Sequence, residues 1–510
     1  MLLLTGVFWG IAALELAVLL LHAGPAQRWL AAAVGVFVII STAAVLWGRP
    51  GGVTVLVAWM SAYRLVNLLR LARPRMHVKY LRRMSMQAGL WIVGLQGVVW
   101  LLWWLGSVAD VTASYVWQFM AFAGAGSALV LLSSTMRHIR TTRPPQAAAV
   151  AAIGTHLLPT LTVAIPARNE TDDLEACLTS LIASDYPKLE ILVLDDCSQN
   201  RRTPEIIRAY AHEGVRFLQG AAADENWLAK NYAYQQLLEA ANGELMLFCG
   251  VDVRFAPGSL RQLVASMLHK NKTMLSVMPY NEVPFLFRRR GSMLLQPMRY
   301  AWELALPRKL FRRPPVLSTC WLARRELLAS AGGFGAVSRS IVPESYFART
   351  SAVHDGYSFM RSSPQIGVMS VKTIAEQRET VLRTRYPQVH RRIDLVMILA
   401  FAELGGVLLP YVLLALGLLG RLPLPATLAS AAAVVMLSVA YAATVTVTYR
   451  VWLARALAAL PVAIIADVLL LHRSMAAYEF FSVLWKGRNV CVPVMHVVPQ
   501  LPETAAHPHA

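Results

Sequence analysis

The sequence predicts an α/β domain with a mixed, mainly parallel sheet, placed between two α-helical regions that span a membrane. Three observations predict this fold class. Short apolar runs in the middle of the chain alternate with segments of helical periodicity, as in βαβ units. The 510 residues are more than one ordinary domain requires. Their 56% hydrophobic content is concentrated towards the two ends of the chain.

Three apolar runs in the middle of the chain are predicted to be strands: Leu161–Ile165, Ile191–Leu194 and Leu245–Phe248. The second is wholly apolar, which is typical of a strand buried on both faces of a parallel sheet. Each run ends in a polar cluster. These clusters are Pro166–Glu170, Asp195–Ser198 and Cys249–Asp252. Because ligands of an open parallel sheet bind outside the carboxyl ends of its strands, we expect the clusters to meet in one crevice.

The segments between these runs are predicted to be crossover helices. Thr171 is the expected N-cap of the first helix, and its apolar stripe comprises Leu174, Cys177, Leu178 and Leu181. Thr203-Pro204 is expected to open the second helix, with Pro at its first position and Ile206, Ile207 and Tyr210 on its buried face. The third is expected from Asn226 to Ala241, where Asn242-Gly243 would stop it.

Long apolar runs on both sides of this region predict membrane-spanning helices, each near the ~20 residues that cross hydrocarbon. The five runs before it are 1–22, 29–47, 51–69, 87–106 and 115–134. The three after it are 396–419, 424–447 and 451–471. Pro461 and Asp467 interrupt the last run, so the chain is predicted to have two or three C-terminal spans.

The basic residues indicate which face of the membrane the central domain occupies. The loops Arg70–Arg83 and Arg137–Arg143 are rich in positive charge, whereas the loops Gly48–Gly52 and Gly106–Thr112 have little. By the positive-inside rule, the central domain is expected in the cytoplasm, on the inner face of the cytoplasmic membrane. The net charge of +19 fits contact with anionic membrane lipids, and no nucleic-acid recognition module is visible.

The motifs of the central region resemble those of glycosyltransferase family 2, the inverting transferases with an A-type nucleotide-sugar fold. The resemblance covers roughly residues 160–392. Ile165–Glu170 and Tyr186-Pro187 resemble the family's first strand and the loop before its second, and Asp195–Ser198 its Asp-Asp-x-Ser signature. The other matching segments are Trp227–Lys230, the Gly332–Phe334 turn, and Gln388–Arg392, which is similar to the QxxRW motif of membrane-bound synthases.

The resemblance implies a donor site for a nucleoside-diphosphate sugar. Asp195 and Asp196 would accept hydrogen bonds from base and ribose, and Lys230 would pair with phosphate. The implied nucleotide-binding residues are Pro166, Arg168, Glu170, Asp195, Asp196 and Lys230. Asp252 aligns with the second Asp of the family's Asp-x-Asp motif and is the expected ligand of Mg²⁺ or Mn²⁺. The first position of that motif is Gly250, which should weaken the hold on the metal.

The acceptor side of the site has two further expected elements. A carboxylate must accept the proton of the attacking hydroxyl, and Glu344 stands where the family has its catalytic Asp, after Pro343 instead of Glu. Gln388 and Arg391 match two positions of QxxRW and would contact the pyrophosphate or acceptor. Arg392 replaces the Trp of that motif, so the stacking face of an aromatic ring is missing.

We therefore predict a membrane-embedded inverting hexosyltransferase that moves a sugar from a UDP-sugar to a lipid or membrane-associated glycan. The predicted layout is an N-terminal membrane region (1–134), a linker (135–159), a cytoplasmic transferase domain (160–392), a C-terminal membrane region (393–472) and a tail (473–510). Three departures from the family motifs keep a degenerate pseudo-transferase that acts as scaffold or regulator as the alternative. A transporter is weaker, because the spans have few ionisable residues and no clear relay.

Overall fold

The computed structural model describes residues 52–71, 79–108, 113–145, 153–224, 226–281, 295–305, 314–449 and 453–490. The predicted spans 1–22 and 29–47 lie outside the described residues, as does the end of the tail after Val490.

The central domain is built on a seven-stranded sheet with the order β3-β2-β1-β4-β7-β6-β8. All neighbouring strands run parallel except at β7, which is antiparallel to both β4 and β6. The predicted mixed, mainly parallel sheet is therefore confirmed. The strands are β1 (Leu161–Ala167), β2 (Leu189–Asp195), β3 (Val215–Gln219), β4 (Leu245–Cys249), β5 (Val253–Phe255), β6 (Met274–Met278), β7 (Cys320–Arg324), β8 (Tyr357–Arg361) and β9 (Val368–Ser370), where β5 and β9 form a separate antiparallel pair.

The three predicted strands are β1, β2 and β4, each one to three residues longer than its apolar run. Ala167 is in register with Asp195, so β1 and β2 end at the same level of the sheet. β4 pairs with the other side of β1, with Phe248 beside Ala164. The polar clusters that follow these strands therefore leave the sheet at one edge, as their sequence pattern predicted.

Helices cover both faces of the sheet. In α4 the predicted stripe of Leu174, Cys177, Leu178 and Leu181 is buried, and Thr171 is the N-cap residue. α5 begins at Arg202, before the predicted start, and α6 begins at Ala229, three residues after its predicted start. The helices of the domain are α4 (Asp172–Ile182), α5 (Arg202–Ala209), α6 (Ala229–Ala240), α7 (Ser259–His269), α8 (Gln296–Ala305), α9 (Arg325–Ser330), α10 (Glu344–Val353) and α11 (Ile374–Gln388).

An aromatic core on one face of the sheet fixes the position of α10. Phe248 of β4 stacks on Trp321 of β7 with ring centroids 4.3 Å apart. Phe334 packs edge-on against Phe248, and Phe347 of α10 packs edge-on against Phe334. These rings are fully or almost fully buried. Burial of such large apolar side chains holds the first turn of α10 close to the carboxyl edge of the sheet.

The remaining helices are long and apolar. Five segments of the described chain are long and apolar enough to span a membrane: Met84–Trp103, Ser114–Thr141, Ile393–Leu418, Leu424–Thr448 and Leu453–Phe480. The last is a continuous 28-residue helix that runs through Pro461. The helices are α1 (Gly52–Leu71), α2 (Lys79–Val108), α3 (Ala113–Thr141), α12 (Ile393–Glu403), α13 (Leu409–Leu418), α14 (Leu424–Thr448) and α15 (Leu453–Phe480), with a π-helical turn between α12 and α13.

A short hairpin follows α15 and returns the chain to the central domain. It pairs β10 (Leu484–Trp485) with β11 (Arg488–Asn489) through a tight turn at Lys486 and Gly487. Both turn residues have positive φ, 47° and 80°. Two-residue hairpin loops favour a turn in which both central residues have positive φ, because that turn fits the twist of the two strands. Gly487 adopts a positive φ without steric cost. We call this segment, residues 484–489, the tail hairpin.

Candidate functional site

Asp195 is the last residue of β2 and Asp196 follows it at the carboxyl edge of the sheet, and both are buried. The carboxylate of Asp195 accepts a hydrogen bond from the backbone N–H of Ser198 at 3.1 Å, while its other oxygen lies 3.4 Å from the side-chain amide of Gln219. The backbone N–H of Asp196 donates to the carbonyl of Ala167 at the end of β1. The two carboxylates are therefore held at the point where β1 and β2 end together.

The tail hairpin lies directly against these carboxylates. Nη1 of Arg488 is 2.8 and 2.7 Å from the two carboxylate oxygens of Asp196. Burial raises the pKa of Asp196 above its ordinary value, and the charge of Arg488 opposes that rise. The Asp196 carboxylate thus has its countercharge from a residue 292 positions later in the chain.

The cluster after β1 also contacts the tail hairpin. Nζ of Lys486 lies 3.0 Å from Oε2 of Glu170, and Nε of Arg168 donates to the carbonyl oxygen of Lys486 at 3.0 Å. Nη1 of Arg168 donates to the carbonyl oxygens of Asp196 and Cys197. Pro166 lies in β1 opposite Leu194. The Arg168 side chain therefore ties the segment after β1 to the backbone after β2 and to the backbone of the tail hairpin. This is a positioning role, in addition to the nucleotide contact predicted for Arg168.

Lys230 lies in the first turn of α6 and lines a cavity of about 450 Å³. Its ammonium group is 5.1 Å from the ring centre of Tyr234. Burial lowers the pKa of Lys230 to about 8; the negative charges of Glu344 and Asp252 oppose this effect, and the positive charges of Arg383 and Lys372 add to it. The charges of the predicted base Glu344 and of the predicted metal ligand Asp252 therefore both act on Lys230.

The cavity lies between the sheet edge, α6, α11 and the tail hairpin. Its volume is within the range of small-ligand sites in proteins, about 300–1,000 Å³. Polar and charged side chains from five separate segments line it. They are Asp224, Lys230, Asn231, Ser318, Ser340, Arg383, Thr384, Arg488 and Asn489, beside the rings of Trp227 and Trp485. Arg383 stacks its guanidinium over Trp485 at 4.9 Å from the ring centre.

Glu344 is the first residue of α10 and is 1% exposed. Pro343 precedes it as the N-cap residue, with a φ of −59° that a proline ring favours. A carboxylate in the first turn of a helix interacts favourably with the helix dipole. The charge of Glu344 acts on Lys230, Arg383 and Tyr234. The buried aromatic core under α10 therefore presents this carboxylate towards the cations of the cavity.

Asp252 follows β4 and is paired with a lysine. Its Oδ2 lies 3.4 Å from Nζ of Lys372 and 3.4 Å from Oγ of Ser370. A Cβ atom at Gly250 would lie 2.4 Å from Oδ1 of Asp252, so the Asp252 side chain covers the space above that glycine. No group of three or more His, Cys, Asp or Glu suited to a metal ion occurs in the part of the chain that the structure describes.

The donor set at Asp252 does not fit the predicted divalent metal. Mg²⁺ and Mn²⁺ take several oxygen ligands and favour carboxylates. Here one carboxylate is present, its motif partner is a glycine, and an ammonium group already lies on one of its oxygens. A metal bound at Asp252 would have to displace Lys372, so we assign no chemical step to a metal.

Gln388 is the last residue of α11, and Arg391 follows three residues later, where the chain approaches α15. Nη2 of Arg391 is 3.2 Å from Oε1 of Glu479 in α15, and its guanidinium lies over the ring of Tyr478. Arg70 of α1 joins the same carboxylate at 3.5 Å. Gln388, half-buried, ends α11. The structure thus places Arg391 in an ion-pair network between helices, and its contact with pyrophosphate stays a prediction.

The sequence reasoning did not identify four cationic residues of this site: Lys372, Arg383, Lys486 and Arg488. The basic and aromatic segment Trp485–Asn489 is visible in the sequence, but nothing there indicates that it returns to Asp196. Arg383 lies five residues before Gln388 on α11, so the helix that bears the QxxRW-like motif also reaches the cavity.

Residues 162–331 match the model described as glycosyl transferase family 2. An uncharacterized protein of Mycobacterium tuberculosis (strain CDC 1551 / Oshkosh) is 32% identical over 105 residues, which are 21% of this chain and 31% of that protein. The chain therefore matches less than a third of the length of this curated relative.

Three solved structures are similar at low identity. A mannosyltransferase from Pyrobaculum calidifontis, in complex with GDP-Man and Mn²⁺, is 18% identical with a TM-score of 0.42, over 71% of this chain and 97% of that one. Glucosyl-3-phosphoglycerate synthase from Mycobacterium tuberculosis, in complex with Mn²⁺, UDP and glucosyl-3-phosphoglycerate, is 19% identical with a TM-score of 0.31, over 48% of this chain and 84% of that one. TarS of S. aureus (residues 1–349), in complex with UDP-GlcNAc, is 16% identical with a TM-score of 0.31, over 45% and 66%.

Proposed function

We propose that this protein is an inverting glycosyltransferase of the cytoplasmic membrane, because residues 162–331 match the family model described as glycosyl transferase family 2. It would move a sugar from a UDP-sugar to a lipid or a membrane-associated glycan. The observation that carries the proposal is the cavity at the carboxyl edge of the sheet. Lys230 and Arg383 line it, the charges of Glu344 and Asp252 act on Lys230, and Arg488 links it to Asp196.

The donor is proposed to bind across this edge. Asp195 would accept hydrogen bonds from base or ribose, the role expected from its motif, with Pro166, Arg168, Glu170 and Asp196 shaping the surrounding pocket. The diphosphate would lie towards the cavity, where Lys230, Arg383 and Arg488 offer positive charge. Guanidinium and ammonium groups are the usual protein partners of phosphate oxygens.

The transfer is proposed as a single displacement. The carboxylate of Glu344 accepts the proton of the acceptor hydroxyl as that oxygen forms a bond to the anomeric carbon. The bond from that carbon to the diphosphate oxygen breaks, and the nucleoside diphosphate leaves with the electron pair. General-base catalysis of this kind contributes about 10²–10⁴-fold in rate. The cations of the cavity stabilise the charge that develops on the leaving oxygen.

The acceptor is proposed to approach from the membrane side. Five helices of the described chain are long and apolar enough to cross a bilayer. α11 carries Arg383 into the cavity at one end and contacts α15 through Tyr386 and Ser474. The catalytic site therefore lies beside helices of membrane-spanning length, which favours an acceptor held at the bilayer surface. The basic loops of the sequence favour the cytoplasmic face.

The direct test is transfer by the purified full-length protein in detergent. A panel of UDP- and GDP-sugars with labelled sugar is incubated with a total membrane lipid extract, and labelled lipid is counted. We expect transfer from a UDP-sugar that falls about 10²-fold or more in Glu344→Gln. Glu326→Gln is the matched control, because Glu326 also lies in the first turn of a helix but is exposed.

The outcomes separate the candidate functions. Loss of transfer in Glu344→Gln with full transfer in the control supports the proposal. Binding of a nucleotide without any turnover would contradict it and favour the pseudo-transferase that serves as scaffold. Movement of labelled substrate across sealed vesicles without sugar transfer would instead favour a transporter.

A further inference from the structure

The ion pair between Asp252 and Lys372 is held in place by backbone hydrogen bonds between the segments that contain β5 and β9. β5 and β9 pair antiparallel with Val253 opposite Ser370, and the N–H of Val371 donates to the carbonyl oxygen of Asp252 at 2.9 Å. Lys372 follows at once. Its position relative to Asp252 is therefore set by strand pairing and not by a flexible loop.

The helix that follows Lys372 fixes it from the other side. Thr373 is the N-cap of α11, its hydroxyl accepts from the N–H of Glu376, and the Glu376 carboxylate accepts from the N–H of Thr373. A capping box of this kind satisfies two backbone donors reciprocally and stabilises the first turn. The Lys372 side chain is 18% exposed. Lys372 and Thr319 line a small second cavity. Ser318, the residue before Thr319, lines the cavity of about 450 Å³, so the two cavities are adjacent.

The ammonium group of Lys372 lies on the carboxylate that was predicted to hold the metal. In the predicted motif two carboxylates hold a divalent cation against the diphosphate. Here Gly250 removes the first carboxylate, and the second has an ammonium group on Oδ2. The positive charges of Lys372 and Arg383 both act on Lys230, so three cationic side chains surround this part of the site. Together they can balance a diphosphate without an added ion.

We propose that Lys372 takes the place of the divalent metal, so that the nucleoside diphosphate is bound and released without Mg²⁺ or Mn²⁺. This inference rests on the proposed function of the site. The ammonium group of Lys372 would neutralise charge on the diphosphate, while the Asp252 carboxylate holds that ammonium group in position. An ammonium group donates up to three hydrogen bonds, so it can contact Asp252 and a phosphate oxygen at once.

The test measures binding of UDP and of GDP to the full-length protein by calorimetry, once in excess EDTA and once in Mn²⁺. For whichever nucleotide binds, we expect the wild-type Kd in EDTA to lie within about threefold of its value in Mn²⁺. Lys372→Met should weaken binding in EDTA about tenfold or more, as loss of a charge-assisted hydrogen bond predicts. Lys372→Arg should retain most of the affinity, because it keeps the charge.

Lys272→Met is the matched control. Lys272 also pairs with an aspartate, since its Nζ lies 3.0 Å from Oδ2 of Asp355, and its side chain is similarly buried at 16% exposed. It precedes β6, which runs parallel to β4, so it lies at the opposite edge of the sheet. This variant should bind the nucleotide like the wild type in both buffers.

The outcomes of the two proposals are distinguishable. Wild-type binding that requires Mn²⁺ would overturn the inference and leave the glycosyltransferase function intact. Equal binding by the wild type and Lys372→Met in EDTA would overturn it as well. Absence of binding by either nucleotide in either buffer would contradict the proposed function itself. The wild-type comparison decides the matter even if a variant fails to fold.

Discussion

Nη1 of Arg488 lies within 2.8 Å of both carboxylate oxygens of Asp196, although 292 positions separate the two residues. The pair joins the end of β2 to the tail hairpin, so the last described segment of the chain closes one wall of the cavity. The carboxylate is 5% exposed and the guanidinium 25% exposed. A pair that is this well shielded from solvent is only weakly screened by salt.

We predict that Arg488→Ala weakens UDP binding about tenfold or more. The substitution removes a charged donor from the cavity wall and leaves the buried Asp196 carboxylate without its countercharge, which costs about 1.5–3 kcal/mol for a charge-assisted hydrogen bond. Isothermal calorimetry on the detergent-solubilised protein measures the change.

Arg216→Ala provides the control for this substitution, because Arg216 pairs with Glu190 but is 46% exposed. Exposed pairs contribute little to stability, typically below 1 kcal/mol. If Arg488→Ala and Arg216→Ala bind UDP equally well, the tail hairpin has no part in the donor site.

The pKa of Lys230, lowered by burial to about 8, predicts that nucleotide affinity decreases as the pH rises through that value. A lysine whose pKa is lowered loses its charge at lower pH than usual, so the cavity loses one cation between about pH 7 and pH 9. The ligand contributes little over this range, because a terminal phosphate has a pKa near 6. Titration of the Kd for UDP with pH measures the effect.

Lys230→Arg should bind UDP with nearly constant affinity from pH 7 to pH 9, because a guanidinium stays protonated throughout. Lys188→Arg serves as control, since Lys188 donates to backbone carbonyl oxygens at the other end of β2. The assignment fails if the wild type and Lys230→Arg show the same dependence on pH.

Replacement of Glu479 should destabilise the protein strongly without changing the donor site. Its carboxylate is 3% exposed and meets the guanidinium groups of Arg70 and Arg391 and the hydroxyl of Tyr386. Glu479→Ala would leave the buried Arg70 and the partly buried Arg391 without this countercharge, a change that costs about 3–5 kcal/mol.

Thermal unfolding in detergent tests that prediction as a lower Tm. Glu213→Ala, an exposed glutamate beside His212, should leave the Tm unchanged. Equal Tm values for both variants would mean that the Glu479 network does not stabilise the contact between α1, α11 and α15.

Installing the missing carboxylate should create a metal requirement. In Gly250→Asp combined with Lys372→Met, the Asp252 side chain must move, because a Cβ at position 250 meets its Oδ1 at 2.4 Å. Two carboxylates without the lysine form a better oxygen ligand set for a divalent cation. We expect UDP to bind this double variant at least tenfold more tightly in Mn²⁺ than in EDTA. UDP binding by the double variant that is unaffected by Mn²⁺ would contradict the inference that Gly250 removes a metal ligand.

Much of the site could be predicted because its first elements follow directly from buried strands. The apolar runs of β1, β2 and β4 are strongly patterned, so the polar residues after them fall at one edge of a parallel sheet whatever the rest of the chain does. The placement of Asp195, Asp196 and Asp252 at that edge was predicted in this way. Glu344 was reached by resemblance alone, and the aromatic core around Phe347 supplies the reason for its position.

The start of α6 was predicted three residues too early, at Asn226 instead of Ala229. The N–H of Leu228 instead donates to the carbonyl of Ser338. Ser338 lies more than a hundred residues later in the chain, so local periodicity cannot predict this contact. The same limit applies to Arg391, whose partner Glu479 lies in another helix.

The sequence by itself determined three strands of the central sheet, the apolar helices on either side and the clustering of carboxylates at one edge, because each depends on local periodicity and burial. Only the tertiary structure decided which cations face those carboxylates. Lys372 reaches Asp252 through the pairing of β5 with β9, and Arg488 reaches Asp196 through the return of the tail hairpin. Charge pairing acts between neighbours in space, and neighbours in space are set by the path of the whole chain.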